Sequence, residues 1–235
     1  MEGTRIENKI ALITGSNRGI GKGIADKFED AGITVIKNGL SDSDDKLYVK
    51  GDVGVSKDIV KIKEFVAEKF GKLDILVNNA AFTKFVEHKD LHKLSNDLFD
   101  KIYSTNLRGP FLCTQIFHEL LLKSDDPSII NIASVAGING QGSNIAYCAM
   151  KAALINMTKS LARCLTPIRV NAISPGLVET GFVQFPKGFV PDTISKTPLN
   201  RTGQPGDIGD AALSLVNMKY ITGENITVDG GRLLN

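Results

Sequence analysis

The sequence predicts an α/β fold: a doubly wound parallel sheet of about seven strands with helices on both faces, and with the helix between the second and third strands missing or reduced. Three observations predict it. Short apolar runs alternate with longer stretches whose apolar residues step at threes and fours, as buried parallel strands and amphipathic helices do. A glycine-rich turn joins the first run to the first helical stretch. The 235 residues are 42% hydrophobic, enough for one large core, and no repeat, low-complexity tract or linker divides them, so 1–235 read as one domain.

In order along the chain, residues 9–14 read as a buried strand, and a helix follows to Ala31 with Gly32 as its stop. Residues 33–38 read as the second strand and 46–49 as the third. Only 39–45 lie between them, too few for a helical crossover, which needs at least about 10 to 12 residues. The adenosine end of a bound dinucleotide is therefore expected to be more open than usual. Val55, Ile59, Ile62, Val66 and Phe70 mark a helix that ends at Gly71. The alternation continues with strand 73–78, a long helix 96–122, strand 128–133, helix 147–165 and strand 168–174. A loop over 180–202, a helix over 207–218 and a strand over 226–228 complete it.

Composition excludes several roles. The net charge is +2 and the basic residues are dispersed, which argues against nucleic acid as a partner. No apolar run approaches the roughly 20 residues that span a bilayer, and the polar start, residues 1–9, lacks the apolar stretch of a signal peptide. Three cysteines form no CxxC pair and point to a reducing compartment, so a cytoplasmic protein without a membrane partner is expected. His88 and His92 have helical spacing, but no third ligand accompanies them; they read as surface histidines, and no metal is expected.

Thr14-Gly-Ser-Asn-Arg-Gly-Ile-Gly21 lies where glycines let backbone approach a pyrophosphate at a helix N-terminus. Its spacing resembles the nucleotide-binding turn of the short-chain dehydrogenase/reductase family, which has a Rossmann-type fold. The resemblance implies cofactor contacts at Gly15, Asn17, Arg18, Gly19, Ile20 and Gly21. Asp52, followed by Val53, resembles the family residue that bonds the adenine, and Asn78-Asn79-Ala80 resembles its Asn-Asn-Ala-Gly segment, with Ala81 in place of the last glycine. Pro175-Gly176, with Val178 and Thr180, resembles the segment that holds the nicotinamide carboxamide.

Tyr147 and Lys151 are one helical turn apart, on one face, and Ser134 precedes them at the end of the fifth strand, on the sheet edge where open α/β folds bind ligands. With Asn106 they match the family's catalytic tetrad residue for residue. The resemblance implies Tyr147 as general acid/base, Ser134 on the substrate oxygen, Tyr147 and Lys151 also in contact with the cofactor, Lys151 on its nicotinamide ribose, and Asn106 on a water leading to Lys151. A lysine ammonium at ~4 Å is expected to lower the tyrosine by roughly three pKa units.

The second strand ends Lys37-Asn38-Gly39-Leu40, with no acid to bind the ribose 2′-hydroxyl of NAD, while Arg18 matches a 2′-phosphate contact of NADP enzymes. NADP is the expected cofactor, with NAD as the alternative; Asp42, Asp44 and Asp45 would repel the phosphate if they faced it. Phe182, Val183, Phe185, Phe189 and Val190 make the 180–202 loop a lid over a carbonyl or alcohol substrate. The apolar C-terminal strand implies, by resemblance, a homo-oligomer, specifically a tetramer. Among members, carrier-protein-linked 3-oxoacyl reductases are similar. Two other readings are an NAD-linked alcohol, sugar or polyol dehydrogenase, and a non-catalytic dinucleotide-binding sensor or scaffold.

Overall fold

Apolar residues decide the architecture strand by strand. In the computed structural model, which describes residues 6–235, β1 (Ile10–Ile13), β4 (Ile75–Asn78), β5 (Ser128–Ile132) and β6 (Arg169–Pro175) are buried throughout. With β2 (Thr34–Gly39), β3 (Tyr48–Lys50) and β7 (Asn225–Val228) they form one parallel sheet in the order β3-β2-β1-β4-β5-β6-β7. The polar stretch 1–9 falls in part, at 1–5, outside the described residues.

Successive strand residues face opposite sides, and both sides are apolar because both are covered. Ala11, Ile13, Ile75, Val77 and Ile173 pack with α1 (Gly19–Asp30) and α8 (Pro205–Asn217). Ile10, Leu12, Leu76, Ile129 and Val170 pack with α2 (Ser56–Phe70), α4 (Gly109–Leu121) and α6 (Ile145–Cys164). Three shorter helices, α3 (Asn96–Tyr103), α5 (Ala136–Asn139) and α7 (Phe189–Ser195), lie nearer the site.

No helix forms between β2 and β3, as expected, and residues 40–46 of the connection are exposed. Buried Asn38 donates to the carbonyls of Val49 and Gly51, at 3.0 Å each. Lys37 pairs with Asp45 and Lys50 with Asp42, and the Tyr48 hydroxyl donates to the Ser41 carbonyl at 2.6 Å. Side-chain bonds thus order the connection without covering it, which leaves the expected adenosine end open. The Leu47 N–H is bound by the Asp45 carboxylate, so β3 begins at Tyr48 rather than at 46.

The single helix expected over 96–122 is broken by a π-turn over Ser104–Arg108. The Asn106 Nδ2 donates to the Ile102 carbonyl, the acceptor an α-helix would offer to its own backbone, and Pro110 has no N–H to continue the ladder. The 180–202 loop contains α7, a short helix that its scattered aromatic residues did not reveal. Asn144 and Gln204 cap α6 and α8, starting each helix two residues before its expected first residue.

On the edge of the sheet away from the glycine turn, Asp126 accepts from Lys9 at 3.0 Å and from Lys219, and lies beside Arg169. Burial works against its charge, but these lysines hold its carboxyl below the ordinary carboxylate range. A carboxyl lowered by folding stabilises above its unfolded pKa and loses that contribution as pH falls through its folded pKa. We therefore expect Asp126→Asn to cost about 1 kcal/mol at pH 7, since solvent screens these partly exposed pairs. The gap between the wild-type and variant urea midpoints should narrow as pH falls below about 4.

Candidate active site

The winding reverses between β1 and β4, whose following segments diverge and open a cleft of about 1300 Å³ along the C-terminal strand edge. Every residue assigned a site role from sequence lines it except Asn106.

At one end the turn after β1 leads into α1. Gly15 and Gly19 have φ of +64° and +57°, which side chains rarely adopt, and a Cβ on Gly15 would lie 2.8 Å from the Ala80 Cα. Gly21 has no room either, facing the Asn79 amide and the Gly15 carbonyl. The turn is braced from behind: the Thr14 hydroxyl accepts the N–H groups of Asn79 and Ala80 at 3.0 Å, and Asn79 donates to the carbonyls of Thr14 and Gly15. The result is backbone lined up for close approach by a phosphate at the start of α1, where the helix dipole favours negative charge. Ile20 is half-buried behind it. Arg18 and Asn17 are exposed on the rim, and Asn17 donates to the Tyr48 hydroxyl at 3.1 Å.

Asp52 and Val53 form the wall beyond β3. Burial opposes the charge on Asp52, yet Lys101 at 2.9 Å and the Gly54 N–H at 2.8 Å hold its carboxyl below the usual range. Across the cleft Gly176 follows β6, with its N–H on the Val228 carbonyl and a Cβ position only 2.9 Å from Asp229. Thr180 reaches over the glycine turn, its Cβ 3.0 Å from where a Cβ of Gly19 would stand, and Val178 pairs with Gly203. Ala81, where the family has glycine, is not among the described residues with positive φ, which explains why a side chain is accommodated.

Ser134, Tyr147 and Lys151 meet at the cleft floor. The Ser134 Oγ accepts the Ala136 N–H at 3.1 Å and faces the Tyr147 hydroxyl. Burial pushes Tyr147 up to about 12, with Ser134 opposing the shift, and burial brings Lys151 down to about 7. Here the expectation of a lysine ammonium at ~4 Å lowering the tyrosine is corrected. The Lys151 Nζ donates to the Ile132 carbonyl at 2.6 Å and stands 5.7 Å from the centre of the Tyr147 ring, and burial rather than its charge sets the direction of the tyrosine's shift. Asn106 sits behind this group, fully buried, with its Nδ2 on the carbonyls of Phe82 and Ile102 and its Oδ1 without a protein partner. A buried acceptor of that kind calls for a water or ligand donor.

The lid residues Phe182, Val183, Phe185, Phe189 and Val190 all line the cleft. Phe185 and Phe189 are stacked at 4.2 Å, and Phe85 meets them edge-on at 6.1 and 6.3 Å. Phe85 was not legible as part of this wall, because it belongs to an irregular segment remote in sequence. Asn144 was also missed, although its position three residues before Tyr147 carries the N-cap signal. His88 and His92 do not share a helix; both are exposed, His88 in a loop and His92 in a short 3₁₀ turn. Among the described residues no three His, Cys, Asp or Glu side chains gather as metal ligands, and no helix is long and apolar enough to cross a membrane.

This fold and cleft define a class, the α/β oxidoreductases that work with a dinucleotide. A family model described as enoyl-(acyl carrier protein) reductase matches residues 15–232. The chain is 34% identical to the 3-oxoacyl-[acyl-carrier-protein] reductase of Thermotoga maritima, over 98% of this chain and 100% of that one. It is also 34% identical to a 3alpha-hydroxysteroid dehydrogenase of Mediterraneibacter gnavus, over 96% and 97%. Among solved structures, the aldohexose dehydrogenase of Thermoplasma acidophilum is similar with a TM-score of 0.90 at 26% identity, over 99% of this chain and 96% of that one. A short chain dehydrogenase of Bacillus anthracis has a TM-score of 0.86 at 31% identity, over 98% of each chain. The chain belongs to the short-chain dehydrogenase/reductase family, whose members act on carbonyl or alcohol carbons with NAD(P).

Proposed function

We propose that this protein is an NADP(H)-preferring reductase of a carbonyl compound, with Tyr147 as general acid/base and the site contained in one domain. The observation that carries the reading is the convergence of Ser134, Tyr147 and Lys151 on the floor of the cleft whose far end is the glycine turn. The residues present suit a nicotinamide dinucleotide: the turn is a cradle that a Cβ would fill, Thr180 reaches over it, and Gly176 and Val178 line the same cleft. When bound, that group supplies or accepts the hydride. Arg18 favours NADP, and two of the acids that could repel its 2′-phosphate, Asp42 and Asp45, are taken up by Lys50 and Lys37.

Ser134 and Tyr147 hold the substrate oxygen between them. Tyr147, kept neutral by burial, carries the proton that the oxygen needs as it gains charge. Lys151, which titrates near 7, restores that proton, and the orphan Oδ1 of Asn106 holds a water that leads to it. Below about 7 Lys151 is protonated and above it is not, so kcat/KM for reduction should fall as pH rises above about 7, and oxidation should gain. A pH series in both directions checks this; a reduction rate that is flat from pH 6 to 9 is the contrary result.

Among readings of the substrate, a 3-oxoacyl thioester follows the Thermotoga relative, and an NAD-linked sugar dehydrogenase follows the likeness to the aldohexose enzyme. The apolar lid favours the first. The deciding assay measures NADPH-dependent reduction of 3-oxoacyl N-acetylcysteamine thioesters beside NAD-dependent oxidation of aldohexoses. Turnover of sugars alone supports the second reading, and dinucleotide binding without turnover supports a sensor. Exposed Phe99, Tyr103 and Phe111 on α3 and α4 support a homo-oligomer, a tetramer in this reading, and the buried thiols of Cys113 and Cys148 suit the cytoplasm.

A further inference from the structure

Asn144 is 1% exposed, and all the polar atoms of its side chain are engaged. Its Oδ1 accepts the N–H of Tyr147 at 2.8 Å and so caps α6. Its Nδ2 donates to the Thr83 hydroxyl at 2.9 Å and to the Lys84 carbonyl at 2.8 Å. Two further bonds join the same stretches, Thr83 Oγ1 to Ser143 Oγ at 2.7 Å and the Val86 N–H to the Ser143 carbonyl at 2.8 Å.

A helix cap needs one acceptor, which serine supplies as well as asparagine. The two amide donors of Asn144 serve something else: a segment, 79–90, without helix or strand of its own, that carries Phe85. Phe85 in turn closes edge-on against Phe185 and Phe189 of the lid. One buried amide therefore links the backbone of Tyr147 to the apolar wall opposite the lid. A shift of about 1 Å between a reacting group and the wall that seats its substrate costs on the order of 100-fold in rate.

We propose that Asn144 is a positioning residue that keeps Phe85 in register with Tyr147, so that the apolar arm of the substrate, seated on Phe85, sets whether its carbonyl reaches the tyrosine. The proposal rests on the reading of Tyr147 as proton donor. It is tested with Asn144→Ser in the full chain, a change that keeps the cap and removes both donors. In amide hydrogen exchange, Val86 should exchange at least tenfold faster while Tyr147 keeps its protection. The kcat/KM ratio for a 3-oxooctanoyl over a 3-oxobutyryl N-acetylcysteamine thioester should change at least tenfold, with dinucleotide Kd unaltered. Either an unchanged Val86 rate or an unchanged ratio overturns the proposal. If the wild-type protein reduces neither thioester, the substrate reading fails on its own, and the Val86 rate alone decides the role of Asn144. Asn144→Ala, which loses cap and donors together, shows how much of any loss is the cap.

Discussion

Tyr147→Phe is expected to lower kcat by about 10²- to 10⁴-fold in both directions while leaving dinucleotide binding within about twofold of wild type. The substitution removes one oxygen from a ring whose position is held by other means: Asn144 caps the backbone of Tyr147, and the helix behind it is anchored by buried Lys151, Leu154 and Thr158. The neighbours therefore stay in place, and Ser134 still faces the cleft. What is lost is the proton that burial keeps on the phenol at neutral pH. Single-turnover reduction at saturating dinucleotide, with a separate fluorescence titration, separates the two effects. A variant with near wild-type turnover would assign the acid role elsewhere, and one that no longer bound dinucleotide would make Tyr147 structural.

The second large effect is expected at Arg18. Its guanidinium stands exposed on the cleft rim, in the turn before α1, near the shortened β2–β3 connection whose Gly39, Leu40 and Ser41 also line the cleft. No acid follows β2 directly, and Asp42 and Asp45 are paired with Lys50 and Lys37. A charge-assisted bond to a 2′-phosphate contributes about 1.5–3 kcal/mol, so Arg18→Ala should weaken NADPH binding roughly 10- to 100-fold. NADH binding should hardly move. Side-by-side titrations at one ionic strength measure this, and the NADPH loss should shrink in high salt because the contact is exposed. Equal losses for both dinucleotides would mean that Arg18 serves the shared pyrophosphate, and the preference for NADP would then lack support.

Strands β1, β4, β5 and β6 were legible because continuous apolar runs suit only a sheet buried on both faces, and the turn at 14–21 was legible because its glycines occupy positions that a Cβ would block. Chemical type and local spacing likewise singled out Ser134, Tyr147 and Lys151, since residue identity and a one-turn separation are local properties. The break at 104–108, the helix inside the lid and the two-residue shift of β3 were less visible, because each depends on a side chain competing for a backbone partner.

The sequence by itself thus determined the winding of the sheet, the glycine turn and which groups are proposed to react, all of which follow from periodicity and residue chemistry. Tertiary structure alone decided the electrostatics and the apolar wall of the cleft. Tyr147 is raised rather than lowered because burial removes water from both partners while Lys151 spends its bond on the Ile132 carbonyl. Phe85 meets Phe185 and Phe189, and Asn144 meets Thr83 and Lys84, only because non-local folding brings together segments separated by 60 residues and more. Desolvation and long-range contact are sums over the whole packed chain, and no local window of sequence contains them.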